Sequence, residues 1–323
     1  MQRKYILGIV LFLFITGIIY TSYDLFCGKI NDSNSEEGDR RPFIAFVAPT
    51  LSNPFFVAMK RGAEESASKA SVRLEFQAAV SGVEDSAGQF DLVENLISSG
   101  ADILCVVPAD SKAILPVIEF ANQNSVPVIN IDNRIQKTRS STAQIATFIG
   151  SDNKLGGFLA GGFIIKKLGG QGQVVRIDGL LGSDAATQRA EGFTEALASA
   201  PDIKVVANEV ANWSREIAVE KFSAILQREP AIDAVFAAND EMALGVIAAI
   251  DEARSADLDT EIFVVGFDAT PDGLKEVESG KLSATVAQQP ELMGKLCVEN
   301  ALQILGEHTV EAEIPVAVKL ITN

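Results

Sequence analysis

From Pro42 to the end of the chain, short continuous apolar runs alternate with stretches of helical periodicity, and this alternation restricts the fold more than any other feature. Strands are expected at 43–48, 72–80, 102–107, 126–131, 145–149, 173–177, 203–207, 234–237, 262–265, 284–287 and 316–321, with helices between most of them, such as 54–70, 111–123 and 214–227. A strand that is apolar at every position is covered on both faces, and strand–helix alternation builds parallel sheets. There are too many strands for one compact sheet, so the expected fold is α/β with two doubly wound parallel-sheet domains. Polar residues collect between 145 and 153 and mark a crossing between them. No Pro/Gly-rich linker separates the halves, which points to several crossing segments rather than one flexible joint.

Two segments in the second half share one grammar. Ala234-Val235-Phe236-Ala237-Ala238-Asn239-Asp240 and Ile262-Phe263-Val264-Val265-Gly266-Phe267-Asp268 each run from a buried strand into a polar tip and then a helix start. Asn239 and Asp268 therefore stand at the carboxyl edge of a sheet, where open α/β folds bind ligands. Asn53, Asp132, Arg189 and Trp213 also follow strand candidates and converge on the same kind of crevice. Taken singly, each has a plain structural alternative. Asn53 caps a helix opened by Pro54, Asp132 fits a turn, Arg189 fits a solvated helix charge, and Trp213 fits a half-buried packing residue. Phe55 and Phe56 lie ~100° apart on their helix, so one of them is expected to face a cleft rather than the core.

Charge and chemistry exclude much else. A net charge of −16 argues against a nucleic-acid partner, since phosphate backbones need a basic surface. The single histidine, His308, sits in the turn Gly306-Glu307-His308-Thr309 and leaves no partner for a serine or cysteine nucleophile and no histidine metal site. The pairs Gly156-Gly157, Gly161-Gly162 and Gly169-Gly170 do not form a phosphate-cradling loop after a strand. No enzyme, cofactor or metal is expected. The three cysteines make no disulfide framework, and Cys105 and Cys297 read as small buried apolar residues rather than a bridge. At the amino terminus, Arg3 and Lys4 precede an apolar run over 5–20, read as an export signal or an uncleaved membrane anchor, and 29–41 as a tether.

The motifs Asn53-Pro54-Phe55-Phe56, Ser151-Asp152-Asn153 with Gly156-Gly157, Phe236-Ala237-Ala238-Asn239-Asp240-Glu241-Met242, and Val264-Val265-Gly266-Phe267-Asp268 with Thr270-Pro271-Asp272-Gly273 resemble the ribose-binding branch of the bacterial periplasmic binding proteins. The likeness runs from about Phe43 to the end. It implies a type I fold with a first domain of 42–150 and 289–317, a second of 151–288 and 318–323, and a three-strand hinge, behind an export segment of 1–41. It implies ligand contacts from Asn53, Phe55, Phe56, Asp132 and Asn133 in the first domain. Arg189, Trp213, Asn239, Phe267 and Asp268 serve from the second, and Gln288 from the hinge. Phe56 and Trp213 sandwich the sugar ring, with Phe55 and Phe267 walling the pocket. The implied protein is a monomeric receptor at the periplasm or extracytoplasmic membrane surface. It binds a monosaccharide and docks on the permease of an ABC importer; the alternative is a tethered sensor serving a chemoreceptor or sensor kinase. Two positions depart from the family pattern. Pro49 replaces a hydroxyl-bearing serine, and Asn133 replaces an arginine fork, which leaves a pentose, a hexose or a cyclitol open.

Overall fold

The computed structural model describes residues 41–79, 85–229, 231–255 and 261–323. The apolar run over 5–20 expected to be an export signal or anchor, most of the expected tether, and Cys27 lie outside the described residues. No described helix is long and apolar enough to cross a membrane.

Residues from Pro42 onward form one compact unit built on two six-stranded sheets. The first contains β1 (Phe43–Ala48), β2 (Arg73–Ala78), β3 (Ile103–Val106), β4 (Val128–Ile131), β5 (Thr147–Ser151) and β11 (Glu313–Val316), ordered β11-β5-β4-β3-β1-β2. The second contains β6 (Gln171–Asp178), β7 (Asp202–Val210), β8 (Ala234–Ala237), β9 (Phe263–Asp268), β10 (Ala284–Ala287) and β12 (Lys319–Thr322), ordered β12-β10-β9-β8-β6-β7. Every pairing is parallel except that of β10 with β12.

The helices described are α1 (Pro54–Ala70), α2 (Ser86–Ser98), α3 (Leu115–Gln123), α4 (Asn153–Leu168), α5 (Asp184–Leu197), α6 (Arg215–Arg228), α7 (Asp240–Arg254), α8 (Pro271–Ser279) and α9 (Pro290–Leu305). They cover both faces of each sheet. In β1 alternate side chains enter different cores, with Ile44, Phe46 and Ala48 on one face and Phe43, Ala45 and Val47 on the other. β8 divides in the same way, Val235 and Ala237 against Ala234 and Phe236. Period-two side-chain geometry thus converts an all-apolar run into a strand buried twice. Burying a phenylalanine such as Phe46 or Phe236 contributes about 2–3 kcal/mol.

Two expected elements differ. The final strand, expected over 316–321, is two strands: β11 completes the first sheet and β12 the second, with the chain crossing between them. The chain also crosses between β5 and α4 and between β10 and α9, so three segments join the lobes. The helix expected from Ser111 begins at Leu115. Asp110 Oδ1 accepts from the backbone N–H groups of both Lys112 and Ala113 at 2.7 Å and holds a turn there. Pro116 lacks an N–H and is tolerated only in a helix's first turn.

The cysteines overturn the sequence expectation. Cys105 on β3 and Cys297 on α9 form a disulfide with Cα atoms 6.8 Å apart, and both are fully buried. Their separation of 192 residues hides the pair from any spacing rule; only the packing of α9 across the first sheet brings them together.

Candidate functional site

All the candidate side chains except Phe267 line one cleft, most of them at or beyond the carboxyl ends of strands. On the first lobe, Asn53 closes the β1–α1 loop. Its Oδ1 accepts from Phe55 N at 2.9 Å as the cap of α1, leaving its NH2 donors uncommitted to the cap. Phe55 and Phe56 are both buried and meet edge to face, with centroids 5.3 Å apart at 86°. Both line the cleft and both also pack on the first lobe's core, so a single helix turn serves two environments.

Asp132 follows β4 with φ 60°, a left-handed conformation that aspartate tolerates better than most residues. Burial pushes its carboxyl up to about 6, opposed by the nearby Arg189 charge, and its Oδ1 has no hydrogen-bond partner in the protein. Asn133, expected to contact the ligand, lines the cavity, and its side-chain amide is engaged by protein groups. Its Nδ2 donates to Pro108 O at 2.8 Å. Its Oδ1 accepts from Ser183 Oγ and Ala185 N, each at 3.1 Å, and from Ser111 Oγ at 3.3 Å. The neighbouring Arg134 does not take its place: it lies outside the cleft, stacked on Phe148 and paired with Glu313.

On the second lobe, Arg189 is buried rather than a solvated helix charge. Its Nε donates to Asn153 Oδ1 at 2.8 Å, its Nη1 to Ala238 O at 2.6 Å, and Nη1 lies 3.6 Å from Asp268 Oδ1. Phe267 sits beneath it with the ring centroid 3.7 Å from the guanidinium carbon, fully buried in the core. Phe267 therefore backs Arg189 and does not wall the cavity, contrary to expectation. Glycine makes this arrangement possible: a Cβ on Gly157 would stand 2.0 Å from Arg189 O, so only a bare backbone lets α4 approach α5 this closely. Gly156, Gly157 and Gly161 of α4 are packing positions, whereas Gly162 is exposed.

Trp213 and Asn212 both have positive φ, 63° and 51°, in the turn before α6. The indole lies on Gly179, where a Cβ would come within 2.2 Å of the ring. Asn239 caps α7 by accepting from Met242 N at 2.9 Å and donates Nδ2 to Trp213 O at 3.4 Å. Gln288, in the crossing after β10, donates Nε2 to Asp268 Oδ1 at 2.8 Å, while its buried Oε1 has no protein partner.

Asp268 ends β9 with φ 111°, outside the usual regions for a residue bearing a Cβ and costing ~1–3 kcal/mol. Asp240, which the sequence alone did not single out, holds that loop. It is fully buried and accepts from Thr270 N at 2.7 Å, Thr270 Oγ1 at 3.1 Å and Thr285 Oγ1 at 2.7 Å. Thr285 Oγ1 in turn accepts from Ala269 N at 3.2 Å. Desolvation pushes Asp240 up to about 6, opposed by these hydrogen bonds. Burial pushes Asp268 up to about 8, Arg189 pulling the other way and Asp240 adding repulsion.

The cavity these residues line, together with Pro49, Ala109 and Ala185, offers about 50 Å³ to the centres of water-sized groups. One water needs ~10–15 Å³ on that measure, so the space suits one small molecule and excludes an oligosaccharide. A groove of about 1020 Å³ on the second lobe, lined by Phe158, Lys166 and Ile250 among others, is larger but has no convergent buried polar groups. The cleft is the better site because its polar atoms are buried, oriented and in part unpaired.

Comparison with known proteins identifies the family. The periplasmic binding protein domain model matches residues 44–308. The ribose import binding protein RbsB of Escherichia coli (strain K12) is 39% identical over 280 residues, spanning 87% of this chain and 90% of that protein. A structure of an ABC transporter periplasmic solute binding protein from Actinobacillus succinogenes 130z with bound D-allose superposes with a TM-score of 0.80 at 32% identity, covering 87% of this chain and 98% of that one. The fructose binding periplasmic domain of a hybrid two component system gives a TM-score of 0.80 at 29% identity, covering 87% and 91%. The chain belongs to the periplasmic binding protein family and has its type I fold of two α/β lobes.

Proposed function

We propose that the chain is an exported receptor that captures a monosaccharide, a ribose-like pentose or a related sugar or polyol, and delivers it to an ABC-type importer. The observation that carries this reading is the pairing of unpartnered buried acceptors, Asp132 Oδ1 and Gln288 Oε1, with planar forks and rings in one small cavity. Sugar hydroxyls donate to such acceptors, and the apolar C–H faces of a sugar stack on rings such as Phe56 and Trp213. Arg189 and Asn239 supply donors to ring and hydroxyl oxygens. The relative named for ribose import and the structure holding D-allose support the ligand class. Nothing in the cleft pairs a nucleophile with a base, and the site reads as one that binds rather than transforms.

Binding works by closure. A ligand that touches both lobes favours the closed state by its differential contacts, and the three crossings absorb the rotation. The buried Cys105–Cys297 bridge supports an oxidising, extracytoplasmic location. A second reading, a tethered sensor presenting its sugar to a signalling partner, is favoured by the likeness to a two component system's fructose binding domain. Sequencing the mature amino terminus separates the two, since an intact span over 5–20 keeps the sensor reading and cleavage removes it.

The primary test is a thermal-shift screen over pentoses, hexoses, polyols and inositols. The true ligand raises the melting point with concentration as expected for binding to the folded state alone. No shift from any of them, with calorimetry equally silent, removes the sugar reading.

A further inference from the structure

Asn133 belongs to the first lobe, yet its carbonyl is spent on the second. Its Oδ1 accepts from Ser183 Oγ and from Ala185 N, the first supplied by the cap of α5 and the second by that helix's own first turn. Early helix N–H groups have no partner within the helix, so this is a cap delivered across the cleft from another lobe. Ser111 reinforces it from the same side. Ser111 Oγ accepts from Asp184 N at 2.9 Å, and Ser111 N donates to Gly182 O at 3.0 Å. Gln136 Nε2 adds a bond to Asp184 Oδ1. All of these contacts join protein to protein, and the Asn133 amide NH2 is engaged by Pro108 O.

We propose that Asn133, backed by Ser111, is a positioning residue for closure: it caps α5 from the opposite lobe and so fixes Arg189, without reading the ligand. The inference rests on the sugar-receptor reading above. An arginine fork at this position would reach toward the ligand, whereas the shorter amide reaches the facing helix. The energy of this tie is therefore common to every ligand, and selectivity falls to Asn53, Asp132, Arg189, Asn239, Asp268 and Gln288. Such a tie lowers the conformational cost each sugar must meet, because apparent affinity scales with the fraction of closure-competent molecules.

The test uses the full chain with spin labels on exposed sites of the two lobes, in the parent, Asn133→Ala and Asn133→Asp. The aspartate keeps the acceptor for Ser183 and Ala185 but loses the donor to Pro108 O, so it serves as a partial rescue. Without sugar, Asn133→Ala is expected to move the inter-lobe distance distribution toward longer values, and Asn133→Asp to restore it in part. With a panel of epimeric sugars that bind the parent, Asn133→Ala should weaken all of them by one common factor of about tenfold, the worth of one to two hydrogen bonds. An unchanged sugar-free distribution overturns the assignment. So does a loss that differs between epimers, which would put Asn133 in contact with one hydroxyl. Failure of the parent to bind any sugar refutes the receptor reading instead, and the sugar-free distances still decide the role of Asn133.

Discussion

Replacing Asp268 by asparagine separates what the carboxylate does for the ligand from what it does for the fold. Unfolded, the group titrates near 3.8; folded, burial holds it near 8. At pH 7 the folded carboxyl is thus protonated about ten times in eleven, and an asparagine is close to its isostere. Between those two values the folded chain keeps a proton that the unfolded chain has released, so stability falls as pH rises through that window. Asp268→Asn lacks this dependence. Its stability relative to the parent should be nearly unchanged below pH 4, should grow steadily from pH 4 to 8, and should level off above 8 at an advantage on the order of several kcal/mol. Sugar binding should move the other way. Hydroxyls that donate to a carboxylate make charge-assisted bonds of ~1.5–3 kcal/mol, against ~0.5–1.5 for an amide acceptor. The variant should therefore bind about 5- to 30-fold more weakly at pH 8.5, and the parent's affinity should rise from pH 6 to 8 with proton release while the variant's stays flatter. Calorimetry in buffers of different ionisation enthalpy, paired with melting curves from pH 4 to 9, reads both. Equal affinities for parent and variant at pH 8.5 would refute the placement of Asp268 against the ligand. A stability difference that shrinks with rising pH would refute the desolvation argument.

Arg189→Ala strands Asn153 Oδ1, Ala238 O and the Asp268 carboxyl together, so sugar affinity should fall tenfold or more and the melting point should drop as well; unchanged calorimetric affinity would remove Arg189 from the site. Replacing both Cys105 and Cys297 by alanine frees a 192-residue loop, worth up to about 5 kcal/mol in the chain-entropy model; chemical denaturation should show most of that loss while the affinity for sugar stays within about threefold. Asp240→Ala releases Thr270, Thr285 and through it Ala269, so it should weaken binding and destabilise the fold by about 1–3 kcal/mol, visible together in a melting curve taken with and without ligand.

How much of this was legible beforehand depended on whether the signal was local. β1 is apolar at all six positions and α1 opens on Asn53-Pro54, so burial, cap and first turn are all written within a few residues. Asn239 and Asp268 were readable because a strand that ends in a polar side chain places it at a sheet edge by geometry alone. Relations between distant segments were not readable. Nothing near Cys105 announces Cys297, and nothing near Asn133 announces the amino end of α5. Ser111 and Ser183 look like ordinary turn and cap residues until the lobes face each other. Phe267 was placed in the wall because strand alternation was not carried one step further: neighbouring strand residues point to opposite faces, so if Asp268 meets the cleft, Phe267 enters the core. The split of the last strand was missed because Pro315 and the short interval between β11 and β12 carry too little periodicity to separate two strands of four residues.

That split has a consequence for the order in which the molecule can be assembled. β11 is the edge of one sheet and β12 the edge of the other, and both lie within the final eleven residues, 313–323. Neither lobe can finish its sheet until residues 313–322 are available, and the Cys105–Cys297 bond cannot close before most of the second lobe has been made. A chain made from its amino end thus stays incomplete, in both halves at once, until those residues have appeared. Removing 313–322 damages two lobes rather than one.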